Sequence, residues 1–133
     1  MKIFVDTNIF LDLIFKRENF ESALLIFNAI EKRLYVGAIL DISLLNIDYI
    51  ANKQVKDIKD FLRLVNTIFE VVGGTNKMFD DALSIQNDDL EDNLQYVSAK
   101  KLMCDVIVTN DKKFYSEEIE KFTSSAFVDR YLK

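Results

Sequence analysis

Two wholly apolar triplets, Ile3-Phe4-Val5 and Val106-Ile107-Val108, run without a spacer into polar residues: Asp6-Thr7-Asn8 after the first, Thr109-Asn110-Asp111 after the second. A strand apolar at consecutive positions has both faces covered, which is the environment of a parallel sheet held between helices. The chain alternates such short runs with amphipathic patterns, so the expected fold is α/β: a three-layer α/β/α domain around a central parallel sheet of four to five short strands. Strands are predicted at Lys2–Val5, Leu34–Val36, Phe69–Val72 and Val106–Val108, with a short fifth near Ala126–Phe127. Helices are predicted after the Asp6-Thr7-Asn8 junction and over Glu21–Lys32, Ile42–Asn52, Val55–Ile68 and Leu90–Met103, the last with Asp88 or Asp89 as its N-cap. With 133 residues, 50% of them apolar, no proline, three glycines and no low-complexity tract, the chain is expected to form one domain over residues 1–133.

Composition removes several chemistries. There is no histidine, which excludes Ser-His-Asp and Cys-His mechanisms and His-ligated zinc. The one cysteine, Cys104, can form no internal disulfide and lies next to an apolar run, as a buried thiol would. Lys2 is followed by only three apolar residues before Asp6, which is not a signal-peptide pattern, and no apolar stretch approaches a membrane span. A cytoplasmic protein without membrane contact is the expectation. A formal charge of −5 is no nucleic-acid footprint by itself, although a bound divalent cation inverts the local charge that a phosphate meets.

In an open parallel sheet, ligands bind in the crevice beyond the carboxyl ends of the strands. Asp6 follows one predicted strand directly and Asp111 lies three residues past another, so central placement of both strands aims both carboxylates into one crevice. In "NDDLEDNLQ", Asp89 and Asp92 are three apart and share a helix face, whereas Glu91 lies about 100° around the helix from Asp92 and is assigned to a different face. Carboxylates packed together raise one another's pKa unless compensated, and with no histidine the natural compensator is a hard cation, Mg²⁺ or Mn²⁺. Each acid also has an ordinary use: Asp6 as a helix cap, Asp88, Asp89 and Asp92 as complements to a helix dipole, and Asp111 as a turn residue.

The stretches "FVDTNIFLDLI" and "LEDNLQYVSAKKLMCDVIVTNDKKF", in this order and spacing, resemble the PIN-domain nucleases, in particular the VapC-type toxins of type II toxin–antitoxin pairs. The likeness runs over essentially the whole chain. It implies a Mg²⁺- or Mn²⁺-dependent ribonuclease with Asp6, Asp92 and Asp111 as motif acids. Asp89 fits the extra acidic position of a subgroup with an Asp-x-x-Asp pattern, and Thr7, Asn8, Thr109 and Asn110 would orient carboxylates and water. Many members carry a glutamate in the middle helix. Here "DISLLNIDYIANK" places Asn46 at that position, able to supply an amide but no charge, which bears on whether one or two cations are held. Asp48, about 200° further round, should face away.

The partners implied are an RNA substrate, a cognate antitoxin protein and a second copy of the chain. An acidic crevice would accept an antitoxin arginine by bidentate pairing in the cation's place. Lys112 and Lys113, with Lys16 and Arg17, are candidates to guide an RNA strand or are an ordinary solvated face. Phe10, Leu13 and Ile14, after the first junction, are candidate partner contacts or core. Two other classes stay open at this level: a catalytically silent PIN-fold binding module, and a phospho-acceptor receiver domain. The receiver would need an aspartate after a mid-chain strand, where "FEVV" ends instead in Gly73-Gly74.

Overall fold

The computed structural model describes residues 1–133. Its elements are β1 (Lys2–Val5), α1 (Thr7–Ile14), α2 (Phe20–Glu31), β2 (Val36–Leu40), α3 (Asp41–Ala51), α4 (Ile58–Ile68), β3 (Phe69–Val72), α5 (Asn76–Leu83), α6 (Leu90–Lys101), β4 (Val106–Val108), β5 (Glu120–Phe122) and α7 (Ser124–Tyr131). The strands form one sheet in the order β3-β2-β1-β4-β5, and every pairing is parallel. The expected α/β/α layering is present.

Alternation along the strands divides the apolar residues between two cores. Ile3, Val5, Ile39, Val106 and Val108 join Phe10, Ile26, Phe27, Ile47, Val65 and Phe127 on one face, beneath α1, α2, α3, α4 and α7. Phe4, Ala38, Leu40 and Ile107 join Met78, Ala82, Leu94 and Ala99 on the other, beneath α5 and α6. Burying an aliphatic or aromatic side chain this completely contributes about 1.5–3 kcal/mol. Phe10 is buried, and Leu13 and Ile14 pack partly buried on the same core. Cys104 is also buried, its thiol pushed up to about 12 chiefly by burial, which leaves it inert.

Three predicted elements move. β2 occupies Val36–Leu40, not Leu34–Val36, because Arg33 takes a left-handed φ of 63° to end α2 and leaves Leu34 exposed. Gly37, which reads as a breaker, sits inside that strand: a Cβ there would lie 2.6 Å from the Phe69 ring and 2.8 Å from Ile30. Ala126 and Phe127 are helical, and the fifth strand is the edge strand Glu120–Phe122, which stops where Thr123 caps α7 by accepting from the Ala126 amide at 3.1 Å. The helix predicted from Val55 begins at Ile58, and α5, with Thr75 as its cap, was not anticipated. No helix is long and apolar enough to cross a membrane.

Candidate active site

Register brings the two polar junctions together. Val5 pairs with Val108, so the chain leaves β1 and β4 side by side at the carboxyl edge of the sheet, with the Asp6 amide donating to the Val108 carbonyl at 3.1 Å. Asp6 is 1% exposed. Although it stands at the N-cap position of α1, its side chain makes no cap hydrogen bond. Its Oδ1 accepts from Gln95 Nε2 at 3.0 Å and its Oδ2 from Thr109 Oγ1 at 2.8 Å. Burial raises the Asp6 pKa; these two donors pull against that, and the charge of Glu91 adds to the rise.

Both donors are themselves fixed. Gln95 Oε1 accepts from the Thr7 amide at 3.3 Å, which orients the side-chain amide with its NH₂ toward Asp6. Thr109 Oγ1, while donating to Asp6, accepts from the Asp111 amide at 3.1 Å. One hydroxyl therefore joins the first motif acid to the backbone of the third.

The N-terminus of α6 supplies the remaining acids. Asp89 caps it, accepting from the Asp92 amide at 3.0 Å, and Asn93 anchors the preceding loop by donating to the Asn87 carbonyl at 2.8 Å. Asp92 is 7% exposed. Its pKa is pushed up to about 8, first by burial and then by the charges of Asp6 and Asp89, with a hydrogen bond and further charge from Asp111. Asp111 is half-buried and its Oδ1 accepts from the Lys113 amide at 2.9 Å.

The expected acids Asp6, Asp89, Asp92 and Asp111 are thus neighbours. As they stand, no trio of them surrounds one point at coordination distance: Asp89 is engaged as a cap, Asp6 accepts from its two donors, and Asp111 accepts from the Lys113 amide. None of the four pairs with a lysine or arginine, all the ion pairs of the protein lying elsewhere. An all-oxygen donor set with uncompensated negative charge fits a hard divalent cation.

The supporting residues divide. Thr7 and Thr109 are within the network. Asn46 also reaches it, but by donating to Glu91 Oε1 at 2.8 Å. Asn8 is exposed and its side chain makes no hydrogen bond. Asn110 donates to Asp12 at 3.2 Å and accepts from the Ser124 amide at 2.9 Å, so it ties α1 to α7 and orients none of the acids. Asp48 lines a surface groove with Asn52 and Lys56. Gln95, Ser43 and Glu91 are the participants that sequence reasoning left out. Gln95 carried a usable signal, standing one turn after Asp92, so that its side chain can reach the same crevice. Lys112 and Lys113 are exposed beside Asp111. A separate cleft of about 690 Å³ on the α5–α6 face, lined by Lys77, Lys100, Lys101 and Tyr115, contains none of these acids.

Fold and site together define a class, and the family profile of the PIN domain matches residues 3–117: the chain belongs to the PIN-domain family. Among relatives it is 33% identical over 141 residues to Ribonuclease VapC1 of Aquifex aeolicus, the match spanning 98% of this chain and 95% of that one. Among solved structures it superposes on a toxin–antitoxin complex from Klebsiella pneumoniae with a TM-score of 0.69 at 18% identity, covering 92% of this chain and 97% of that one. VapBC2 from Rickettsia felis, bound to a DNA fragment from its promoter, gives 0.67 at 20% identity, covering 92% and 98%. These two likenesses establish the fold. Membership in the family disposes of the receiver-domain alternative.

Proposed function

We propose that this protein is a VapC-like toxin ribonuclease that hydrolyses RNA phosphodiester bonds at the Asp6–Asp92–Asp111 crevice. The observation that carries the reading is the gathering of Asp6, Asp92 and Asp111, none paired with a lysine or arginine, at the carboxyl edge of a parallel sheet, in a chain whose relative at 33% identity is a ribonuclease.

Asp6, Asp92 and Asp111 are the residues to hold a divalent cation, Mg²⁺ or Mn²⁺, with Asp89 on the rim. Such an ion acidifies a bound water and stabilises charge on a phosphoryl oxygen. Gln95 and Thr109 hold the Asp6 carboxylate in one orientation, each of its oxygens keeping further acceptor capacity for a cation. With the Asp92 pKa raised to about 8, a cation would have to compete with a proton there, so affinity should rise with pH. Lys112 and Lys113, exposed beside Asp111, would meet the phosphate backbone.

The solved neighbours are toxin–antitoxin assemblies, which supports a protein antitoxin as partner. An antitoxin arginine would find in this crevice the bidentate acceptor it needs. A homodimer completes the reading, and sedimentation equilibrium tests it. An RNA-cleaving toxin works where RNA is, and we place it in the cytoplasm.

The test is cleavage of a labelled RNA with Mg²⁺ or Mn²⁺, with EDTA, and in Asp6→Asn. Cleavage should require the ion and vanish in the variant, whose melting temperature stays similar or rises. Undiminished cleavage in Asp6→Asn contradicts the assignment. The binding-module alternative rests on Asn46 standing where a glutamate is common; wild-type protein that takes up no Mn²⁺ at millimolar concentration would favour it.

A further inference from the structure

The cleft of about 690 Å³ on the α5–α6 face holds none of the motif acids, yet both elements that carry Asp92 and Asp111 continue into it. On α6, Tyr96 stands one turn after Asp92 and Lys100 two turns after, about 6 and 12 Å along the axis and on the same side of the helix. On the loop after β4, Lys112, Lys113 and Phe114 lead from Asp111 to Tyr115, which lines the cleft. The Tyr115 ring stands edge-on to that of Tyr96, with centroids 5.1 Å apart and planes at 86°. Tyr96 is buried and fixed, its hydroxyl accepting from the Glu118 amide at 3.1 Å, whereas Tyr115 is only half-buried.

The acids around this cleft are already engaged. Asp81 pairs with Lys77 at 3.5 Å, Glu118 with Lys100 at 3.1 Å, and Glu117 accepts from the Tyr115 hydroxyl at 2.9 Å. Three lysines have no such partner. Lys101 is exposed and its Nζ meets the Met78 thioether at 3.8 Å, and neither it nor Lys112 nor Lys113 makes an ion pair. In a chain of formal charge −5, this strip therefore carries positive charge free to meet an anion. None of the protein's large exposed apolar side chains lines the cleft; the most prominent pair, Leu45 and Tyr49, lies on α3. An apolar protein segment has little to bury here. An aromatic ring beside unpaired ammonium groups suits a base and its phosphate.

We infer that this cleft is a substrate subsite, in which Tyr115 stacks on a base of single-stranded RNA close to the scissile bond and Lys101 meets a neighbouring phosphate. The inference rests on the ribonuclease reading above and adds to it the place where the strand is gripped. A ring face and an ammonium group accept any base, so the subsite sets how the strand is positioned for cutting and not its sequence.

The experiment titrates the non-cleaving Asp6→Asn protein with a labelled single-stranded RNA of mixed sequence, followed by fluorescence anisotropy at several salt concentrations. The same titration is made with Tyr115→Ala, Tyr115→Phe or Lys101→Ala added, and thermal melts show that each folds. Tyr115→Ala should weaken binding about fivefold to a hundredfold and leave the salt slope unchanged, while Tyr115→Phe, which keeps the ring and loses the bond to Glu117, keeps the affinity. Lys101→Ala should lower the salt slope by about 0.7, one phosphate contact fewer. A general loosening of the fold would not separate the two alanine variants in this way, and Lys101→Ala carries the test if Tyr115→Ala does not fold. In the active protein both should raise KM for RNA. Unchanged affinity and slope in both alanine variants overturns the inference, and reassigns the cleft to a protein segment if they also lose an antitoxin, while wild-type cleavage keeps the nuclease reading in place. Wild-type protein that neither binds nor cleaves RNA overturns both.

Discussion

The two halves of the crevice manage their negative charge differently. On the β1 side, Asp6 is almost fully buried but accepts from Gln95 and Thr109, donors positioned by further hydrogen bonds of their own. On the β4–α6 side, Asp92 faces Asp111 and Asp89, other acids, and keeps a proton instead. The first half is preorganised by neutral donors. The second is relieved only by protonation or by a cation, and so it makes the site responsive to both.

Thr109 joins the halves, and removing its hydroxyl should have the largest effect on stability. Thr109→Val strands a buried Asp6 oxygen and the Asp111 amide, and should cost about 1–3 kcal/mol and much of the Mn²⁺ affinity; Thr109→Ser should retain most of both. Chemical denaturation and calorimetry check it, and a neutral valine variant would mean that the halves are independent.

The asymmetry itself is sharpened by amide substitutions. Asp92→Asn removes a charge the cation-free fold disfavours and should raise the melting temperature by about 3–8 °C, the equivalent of 1–2 kcal/mol in a domain of this size. Asp6→Asn, whose carboxylate already has two donors, should change it less. Equal gains would show that the donors around Asp6 contribute nothing.

The same contrast has a pH signature. Between the ordinary carboxylate value and about 8, the folded protein binds a proton at Asp92 that the unfolded chain has already released. Raising the pH through that window lowers the stability of the cation-free protein. Asp6, also raised, acts in the same direction. Melts in EDTA from pH 5 to pH 8.5 should fall by several degrees, the slope should flatten in Asp92→Asn, and saturating Mn²⁺ should remove most of it. The smallest effect belongs outside both halves: Asn110→Ala, which loosens α1 from α7, should cost about 1 kcal/mol and leave cleavage nearly unchanged.

How legible all this was depends on where each residue's information lies. β1, β3 and β4 fall where the sequence puts them, because a short run that is apolar on both faces has few other uses. The meeting of Asp6 and Asp111 followed from the rule that parallel strands deliver their carboxyl ends to one edge. β2 was misplaced because a glycine inside a strand carries no apolar signal, whereas the lack of a side chain at Gly37 makes room for the Phe69 ring, a tertiary fact. β5 is a three-residue edge strand with two exposed charged residues, and no periodicity marks it. Glu91 was set aside by helix angle alone, which ignores a side chain long enough to reach across to α3 and Thr7. Asn110 was grouped with the acids by adjacency, while its bonds run to Asp12 and Ser124.

The central claim is that these acids together seat a divalent ion. Crystals grown with Mn²⁺ and measured at a wavelength where manganese scatters anomalously test it most directly. The expected result is an anomalous peak bounded by the carboxylates of Asp6, Asp92 and Asp111. Saturating Mn²⁺ with no peak in the crevice would contradict the account.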